Sequence, residues 1–357
     1  MWKHGMRRVV LAAIAVLAAP VARAEPMYEI TDLGTLGGTA SQAYGMNDVG
    51  RVVGSAKTVS GQIHAFLWDR STKTMVDLGT LGGTTSEACD TNNNGQVVGY
   101  SHVAGNTYYQ AFVYESGSMT GLAGLGGSYS SAGGINDSGQ IAGWANTAGG
   151  AATRATRWDG GSPVDLGSLG GPAYGEAINS AAHVVGKSYT GWPAPMGAFL
   201  HDGTSMSQIH GTYSTAHDIN DSNQVVGYAH VDGGSLGRAY IQDDTGTTYL
   251  PTLGGSQSYG YAINGSGWVV GWADRADDTG AAFLYDGTTM HDLSDLVEPG
   301  HGWTLFEARD INAYGDVVGW GANPAGETHA FLLTIPEPAT MSLLAIGGLG
   351  VLWRRRR

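Results

Sequence analysis

Carboxylates are the most abundant ionisable groups in this chain that could do chemistry. Its 357 residues include 31 Asp and Glu against 18 Lys and Arg. Paired carboxylates catalyse glycoside hydrolysis, but among so many acids a pair can be drawn almost anywhere. The sequence therefore singles out no catalytic residue, and a carbohydrate-active hydrolase or lyase stays open as one functional class.

The charge balance argues against nucleic acid as a partner. Four basic residues lie in residues 1–24 and four in 354–357, which leaves ten basic against 30 acidic residues in 25–335. A net charge of about −20 on that part of the chain repels phosphate backbones and favours solubility.

Metal ligands and nucleophiles have weak support in the sequence. Residues 90–95 match the opening of a calcium-binding loop, but the twelfth position is Ser101, where a bidentate Glu belongs. The histidines lack the spacing of a zinc site. Cys89 is the single cysteine and has no basic neighbour to lower its pKa. We expect no metal, no cofactor and no disulfide, with Cys89 buried and unreactive.

Aromatic residues recur at one position of a repeated pattern and are candidates for stacking on sugar rings. Packing between repeats explains the same recurrence, so both interpretations stay open. The series, which Ser55 and Lys187 interrupt, is Tyr100, Trp144, Tyr228, Trp272 and Trp320. A separate departure from the pattern comes in the long last unit, with His301, Trp303 and Arg309.

The pattern itself is a sevenfold repeat built on an asparagine. A glycine follows each Asn by seven residues, and the copies are 41 to 48 residues apart, which is the period of a propeller blade. The repeated asparagines are Asn47, Asn92, Asn136, Asn179, Asn220, Asn264 and Asn312.

Each repeat asparagine opens an Asn-x-x-Gly turn between two strands. The Asn side chain can close an Asx-turn, and the fourth residue must take a positive φ. That residue is Gly in five copies and Asn223 in one, and both types tolerate the left-handed region, whereas Ala182 is the exception.

Four short strands per repeat predict an all-β fold. Each unit supplies a Leu-Gly strand, an Ala-Ile-Asn strand, a Val-Val-Gly strand and an Ala-Phe-Leu-Trp strand. Seven repeats of about 44 residues predict a seven-bladed β-propeller over residues 25–335. We expect the first and last blades to meet without sharing strands, unless residues 27–30 add an edge. An open β-solenoid is the alternative, but it needs capping units.

Both ends of the chain carry export features. Residues 1–24 combine basic residues, an apolar run and Ala22-Arg23-Ala24, as in a cleavable signal peptide. Residues 336–357 run from Pro336, Glu337 and Pro338 through an apolar stretch at 339–353 to Arg354, Arg355, Arg356 and Arg357. This order predicts a short transmembrane helix with a cytoplasmic C-terminus and the rest of the chain outside the cytoplasm.

The C-terminal order resembles the PEP-CTERM sorting signal of exported proteins from Gram-negative bacteria that make exopolysaccharide. That resemblance implies processing by an exosortase, a membrane transpeptidase, and at least transient anchoring in the inner membrane.

The repeats resemble the HAF family, whose His-Ala-Phe triplet stands intact at residues 64–66 and 329–331. Other copies replace the His or the Phe. This family is associated with extracellular bacterial proteins and implies no enzymatic activity.

Together these features predict an exported scaffold or binding protein of the cell envelope or extracellular matrix. The expected partners are the exosortase and either an envelope polysaccharide or another surface protein.

Overall fold

The predicted all-β class is confirmed. A computed structural model of the chain describes residues 28–191, 195–231 and 236–336. These residues form 28 strands and three single-turn 3-10 helices, Ala104–Asn106, Ala148–Gly150 and Leu293–Asp295. The predicted signal peptide and the predicted C-terminal helix lie outside the described residues. Within the described residues, no helix is long and apolar enough to cross a membrane.

The strands assemble into seven antiparallel groups of four, each numbered after the repeat that supplies its first strand. Group 1 is β2 (Gly37–Met46), β3 (Arg51–Thr58), β4 (Ile63–Asp69) and β5 (Thr74–Asp77); group 2 is β6 (Gly82–Thr91), β7 (Val97–Val103), β8 (Tyr109–Glu115) and β9 (Ser118–Gly121); group 3 is β10 (Gly126–Ile135), β11 (Ile141–Thr147), β12 (Thr153–Asp159) and β13 (Ser162–Gly167); group 4 is β14 (Ala173–Ile178), β15 (Val184–Tyr189), β16 (Met196–His201) and β17 (Met206–Thr212); group 5 is β18 (Ser214–Ile219), β19 (Val225–His230), β20 (Gly237–Asp243) and β21 (Gly246–Tyr249); group 6 is β22 (Gly254–Ile263), β23 (Val269–Arg275), β24 (Gly280–Tyr285) and β25 (Met290–Asp292); group 7 is β26 (Thr304–Ile311), β27 (Val317–Ala322), β28 (Thr328–Thr334) and β1 (Glu29–Asp32).

The first and last units share a strand, which the sequence allowed only if residues 27–30 add an edge. β1 pairs antiparallel with β28, from Glu29 opposite Thr334 to Asp32 opposite Phe331. The Leu-Gly strand of each sequence repeat is therefore the outer strand of the preceding group, and the N-terminal strand completes group 7. Residues 29 and 30, which the sequence left as a possible extra edge, belong to that strand.

The strand of each His-Ala-Phe copy is tied to this outer strand by its histidine. Nδ1 of His64 lies 2.9 Å from the carboxylate of Asp77, and Nδ1 of His329 lies 2.8 Å from that of Asp32. Asp32 and Asp77 also accept the N–H groups of Gly34 and Gly79, which closes the turn that follows the outer strand.

A β-bulge interrupts every first strand, and the second-strand glycine makes room for it. In group 2 the register shifts between Ala88 and Asp90, opposite Gly99. A Cβ added to Gly99 would lie 2.0 Å from the Glu87 carbonyl oxygen. The equivalent distances at the other six glycines are 1.9 to 2.1 Å, at Gly54, Gly143, Gly186, Gly227, Gly271 and Gly319. No side chain fits there, so the repeat glycine follows from backbone contact.

The turns have the predicted geometry in all seven repeats. The fourth residue has positive φ at Gly50, Gly95, Gly139, Ala182, Asn223, Gly267 and Gly315. Ala182, which departs from the preferred types, adopts φ 61° like the others.

The hydrophobic core lies between neighbouring groups. One cluster joins Val98 and Ala111 of group 2 to Ile135, Ile141 and Trp158 of group 3. A serine on each of several first strands also accepts the N–H of the preceding group's Ala-Phe strand, as Ser86 does from Ala65 at 2.9 Å. Each group is therefore stabilised mainly by its neighbours.

The arrangement of the groups is propeller-like. Each first strand lies beside the first strands of both adjacent groups, and β26 lies beside β2. Over the described residues the backbone hydrogen bonds do not join the groups into one closed sheet. Groups 3 to 6 are separate sheets, and single parallel bridges link groups 7, 1 and 2.

Candidate binding site in the central channel

The seven first strands surround a central channel. At one end, a cavity of 370 Å³ is lined by the Asn turns of all seven repeats. The strands lead from there to a second cavity of 250 Å³, with a smaller one of 110 Å³ that shares most of its lining residues.

The repeat asparagines form a ladder around the turn end. In repeat 3, Asn136 Oδ1 accepts the Gln140 N–H at 3.0 Å, which closes the turn as the sequence predicts. Its Nδ2 donates to the carbonyl oxygen of Asn179 in the next repeat at 3.0 Å. Five further links of the same kind, at 2.9 to 3.2 Å, join Asn47 to Asn92, Asn92 to Asn136, Asn179 to Asn220, Asn220 to Asn264 and Asn264 to Asn312.

The second cavity is lined by the residue in the bulge of each first strand, three positions before the repeat asparagine. These seven residues, which we call the bulge ring, are Tyr44, Cys89, Gly133, Glu176, His217, Tyr261 and Arg309. Because the bulge adds one residue, it breaks the alternation of side chains and turns this position towards the channel. Six different residue types occur at one structural position, so this level of the channel lacks the sevenfold symmetry of the fold.

One side of the bulge ring is positively charged and aromatic. The Arg309 guanidinium lies 4.2 Å from the Tyr261 ring centre and 3.3 Å from the Glu307 carboxylate. Burial, together with the positive charges of Arg309 and Lys187, lowers the pKa of His217 to about 3, so its imidazole is neutral. Burial raises the pKa of Tyr261 to about 12.

The other side of the bulge ring is negatively charged. Glu87 lines the cavity beside Cys89, and Tyr100 is hydrogen-bonded to its carboxylate. Glu176 pairs with Lys187 at 2.8 Å. Burial and the charges of Glu87 and Glu176 raise the pKa of the Cys89 thiol, which keeps it protonated. Cys89 is half-buried in the channel wall, whereas the sequence predicts full burial.

Three half-buried aspartates lie one residue beyond the bulge, in repeats 2, 5 and 7. Asp90, Asp218 and Asp310 each accept an N–H from the next repeat, at Ile135, Ile263 and Met46, over 2.7 to 2.9 Å. Burial, with some repulsion from Asp218, raises the pKa of Asp90 to about 7, and burial also raises the pKa of Asp218 and Asp310. Asp90 therefore bonds across repeats through Oδ2, while its Oδ1 accepts the N–H of the adjacent Thr91.

The predicted aromatic series lies on the second strand of each group and is half-buried. Its rings contact other aromatic rings: Trp144 lies 5.9 Å from Tyr109 of group 2 and 5.4 Å from Tyr174 of group 4. Tyr228 lies 4.5 Å from Tyr259 of group 6. The remaining contacts stay within a group and pair Tyr100 with Tyr109, Tyr228 with His217 and His230, Trp272 with Tyr259, and Trp320 with Phe306.

Of the three unusual residues in the last unit, Arg309 reaches the channel. Trp303 is buried against Phe331, with ring centres 6.2 Å apart, and His301 Nδ1 accepts the Trp303 N–H. Among the described residues, no three His, Cys, Asp or Glu side chains come together as metal ligands.

A larger surface cavity of 820 Å³ lies at group 6. Of its charged lining residues, Arg275 and Asp292 are paired with each other at 2.6 Å, and Asp277 and Asp295 also line it. The channel, in contrast, brings side chains from every repeat to one place.

The recurring residues drew attention to the turns, while the bulge ring was missed. The signal for it was a lack of recurrence: the position three before each Asn varies while its neighbours repeat. The sequence singles out Cys89 and Arg309 individually and includes His217 among its scattered histidines, but it gives no reason to select Tyr44, Glu176 or Tyr261.

Two family models match parts of the chain. A family described as a protein of unknown function (DUF3466) matches residues 202–323, and the PEP-CTERM protein-sorting motif matches residues 334–357. That motif marks the chain as exported. It directs export to the cell envelope and sorting by an exosortase, as the C-terminal sequence predicts. No curated protein matches the chain.

Solved structures with the same general fold are distant in sequence. A puromycin-hydrolyzing peptidase from Mycobacterium tuberculosis is 13% identical, with a TM-score of 0.50 over 83% of this chain and 51% of the peptidase. A gluconolactonase from Xanthomonas campestris is 10% identical, with a TM-score of 0.43 over 88% of this chain and 93% of that one. A Trypanosoma rangeli sialidase is 12% identical, with a TM-score of 0.39 over 89% of this chain and 57% of the sialidase. Such likeness concerns the propeller-like all-β fold alone.

Proposed function

We propose that this protein is an exported binding protein of the cell envelope or matrix, and that it binds a carbohydrate in its central channel. The observation that carries the proposal is the bulge ring, where six residue types occupy one position of a fold that otherwise repeats. Architecture alone requires no such variety. The position combines aromatic faces with hydrogen-bonding and charged groups, which is the composition expected of a site for a polar ring compound.

The proposal includes a closed seven-bladed propeller over residues 25–335. The contact of β26 with β2, the pairing of β1 with β28, and the Met46 N–H bond to Asp310 support closure between the last and first groups. The HAF resemblance fits this architecture, because both intact histidines hold an outer strand.

The proposal includes a role for each end of the chain, inferred from its sequence. Residues 1–24 are a signal peptide, and residues 336–357 are the sorting signal, whose apolar stretch anchors the protein in the inner membrane until an exosortase processes it. The proposed role with an envelope polysaccharide goes beyond export itself. It is supported by the occurrence of the sorting motif in bacteria that make exopolysaccharide.

The aromatic series contributes to the proposed carbohydrate site. Tyr100 contacts Glu87 in the channel, and Trp144 and Tyr228 belong to half-buried ring clusters that extend from neighbouring groups. A polysaccharide that enters the channel with one unit can stack further units on these rings.

A direct test measures binding of the purified protein to a glycan array that includes the polysaccharide of the producing cells. Retention should be lost in His217→Gln and Arg309→Gln. Arg157→Gln is the matched control, because Arg157 forms an ion pair with Asp159 at 2.8 Å outside the channel. Absence of any glycan retention by the folded wild type contradicts the proposal.

A hydrolase or lyase is the second candidate, favoured by one observation: Glu87 and Glu176 line the same cavity. Two carboxylates on one cavity meet the minimum requirement for glycoside hydrolysis. This candidate predicts that the purified protein shortens a glycan and that Glu87→Gln and Glu176→Gln each abolish the activity. Unchanged glycan length after prolonged incubation excludes it for that glycan.

A further inference from the structure

The acids of the channel differ in whether a cation neutralises them. Glu176 pairs with Lys187 at 2.8 Å, and Glu307 pairs with Arg309 at 3.3 Å. Within the described part of the chain, Glu87 has no Lys, Arg or His partner at ion-pair distance, although it faces the cavity. A half-buried carboxylate is costly unless a positive group accompanies it.

The electrostatic environment at Cys89 shows where a positive charge is favoured. The thiolate form of Cys89 is disfavoured by burial and then by the charges of Glu87, Glu176 and Asp90, while Arg309 acts in the opposite direction and more weakly. The same negative potential that opposes a thiolate attracts a cation at this side of the bulge ring.

The opposite side of the cavity offers an unused hydrogen-bonding group. Nε2 of His217 is inaccessible to solvent and lacks a hydrogen-bond partner among the described residues, although His217 lines the cavity. Ring nitrogens of His64, His102 and His210 are also buried without a hydrogen-bond partner among the described residues, but of these four histidines His217 is the one that lines the cavity, where a ligand group or water can satisfy it. The Tyr261 ring, 5.5 Å from the imidazole, borders the same space.

We propose that the channel recognises a sugar unit with a free amino group, whose ammonium lies against Glu87 beside Cys89 and whose hydroxyl groups face His217. This inference rests on the proposed function, since it specifies which carbohydrate the site takes. The cavity volume of 250 Å³ is slightly below the usual range of ligand pockets, which begins at about 300 Å³, and it suits a single ring unit.

The charge-assisted hydrogen bond to Glu87 distinguishes an ammonium from an acetamide group. Hydrogen bonds to charged groups contribute enough free energy for about a 10- to 100-fold difference in affinity. An N-acetylated unit lacks the positive charge and is also larger on that side, where the cavity wall is formed by Cys89 and Glu87.

The test compares two trisaccharides that differ in this group alone: the glucosamine trimer and the N-acetylglucosamine trimer. Isothermal titration of both into the purified protein should give at least tenfold tighter binding of the amino form, with the preference weakening as salt increases. Glu87→Gln should remove the preference, and Glu87→Asp should retain part of it. Glu298→Gln is the control, because Glu298 is exposed and does not line the cavity.

The outcomes separate this inference from the proposed function. If the N-acetylglucosamine trimer, or a glucose trimer titrated as a neutral comparison, binds as tightly as the glucosamine trimer or more tightly, the amino-sugar inference is overturned. The carbohydrate site then still stands. Binding of no glycan, on this test or on the array, overturns both. Displacement of the amino trimer by Ca²⁺ at stoichiometric concentration assigns Glu87 to a metal and also overturns the inference. Melting temperatures of the Glu87 variants identify any loss of binding that is caused by unfolding.

Discussion

Two levels of the same channel, three residues apart in each repeat, follow opposite rules. At the turn level one residue type, Asn, occupies all seven positions and closes its own turn; in six repeats it also bonds the next repeat, whereas Nδ2 of Asn312 donates to Asp316. At the bulge ring the side chain changes from repeat to repeat. The backbone conformation repeats at both levels, so the difference lies in the roles of the side chains. At the turn level they join the repeats, whereas in the bulge ring they are available to bind a ligand and can differ between repeats.

The largest expected loss of stability comes from substitution of a second-strand glycine, because its position leaves no room for a side chain. Gly99→Ala places a Cβ 2.0 Å from the Glu87 carbonyl oxygen and forces the bulge to move. We expect the free energy of unfolding, measured by denaturant titration, to fall by about 3 kcal/mol. Ligand binding should be lost as well. Gly265→Ala, with open space around its Cβ, should change the free energy of unfolding by less than about 0.5 kcal/mol. A tolerated Gly99→Ala contradicts the account of the bulge.

The three aspartates between the two levels predict a pH dependence of stability. Their pKa values are raised in the folded protein, so their contribution to stability is full below the unfolded pKa near 3.8 and is lost as the pH rises through about 7 for Asp90. The free energy of unfolding should therefore fall by on the order of 1–2 kcal/mol between pH 4 and pH 8, and the melting temperature should fall with it.

Asp90→Asn should flatten that pH profile. The comparison variant is Asp137→Asn at the exposed rim of the turn level, where Asp137 accepts the Asn93 N–H. A profile that is unchanged by Asp90→Asn shows that this carboxyl ionises at its ordinary pKa.

Ala182 offers the smallest and most local change. An alanine at φ 61° costs about 1–2 kcal/mol relative to an unstrained conformation, and glycine relieves that strain but loses more chain entropy. Ala182→Gly should therefore raise the free energy of unfolding by about 0.5 kcal/mol and leave binding unchanged. Ala181→Gly, beside it without positive φ, should lower it slightly, and an equal response of both variants contradicts the role of the turn conformation.

The repeat and its turn chemistry were predictable because they are local. Asn and Gly preferences report backbone conformation within four residues, which is why even Ala182 took the expected φ. The position of the outer strand was not predictable in the same way, because a tandem repeat has no inherent start, and the strand ending at Asp32 fits either group. The Nδ2 bond of Asn136 also escaped prediction, since its acceptor lies in the next repeat.

The bulge ring could not be derived from strand periodicity. A period of two assigns alternate faces to alternate residues, and the extra residue in each bulge shifts that assignment at Cys89, Glu176 and their equivalents. Recurrent residues mark the positions that the fold requires, so they identify the fold and not the positions that vary between repeats.

The central claim is best tested in repeat 5, where both levels can be changed three residues apart. Melting temperature and glycan binding are measured together for His217→Gln and Asn220→Ala. The account predicts that His217→Gln keeps the melting temperature and loses binding. Asn220→Ala should lower the free energy of unfolding by about 2 kcal/mol, because it leaves the Asn264 carbonyl without its Nδ2 donor, while the folded fraction still binds. The opposite pattern, with His217→Gln unstable and Asn220→Ala stable but unable to bind, contradicts the division between a structural turn level and a ligand-binding bulge ring.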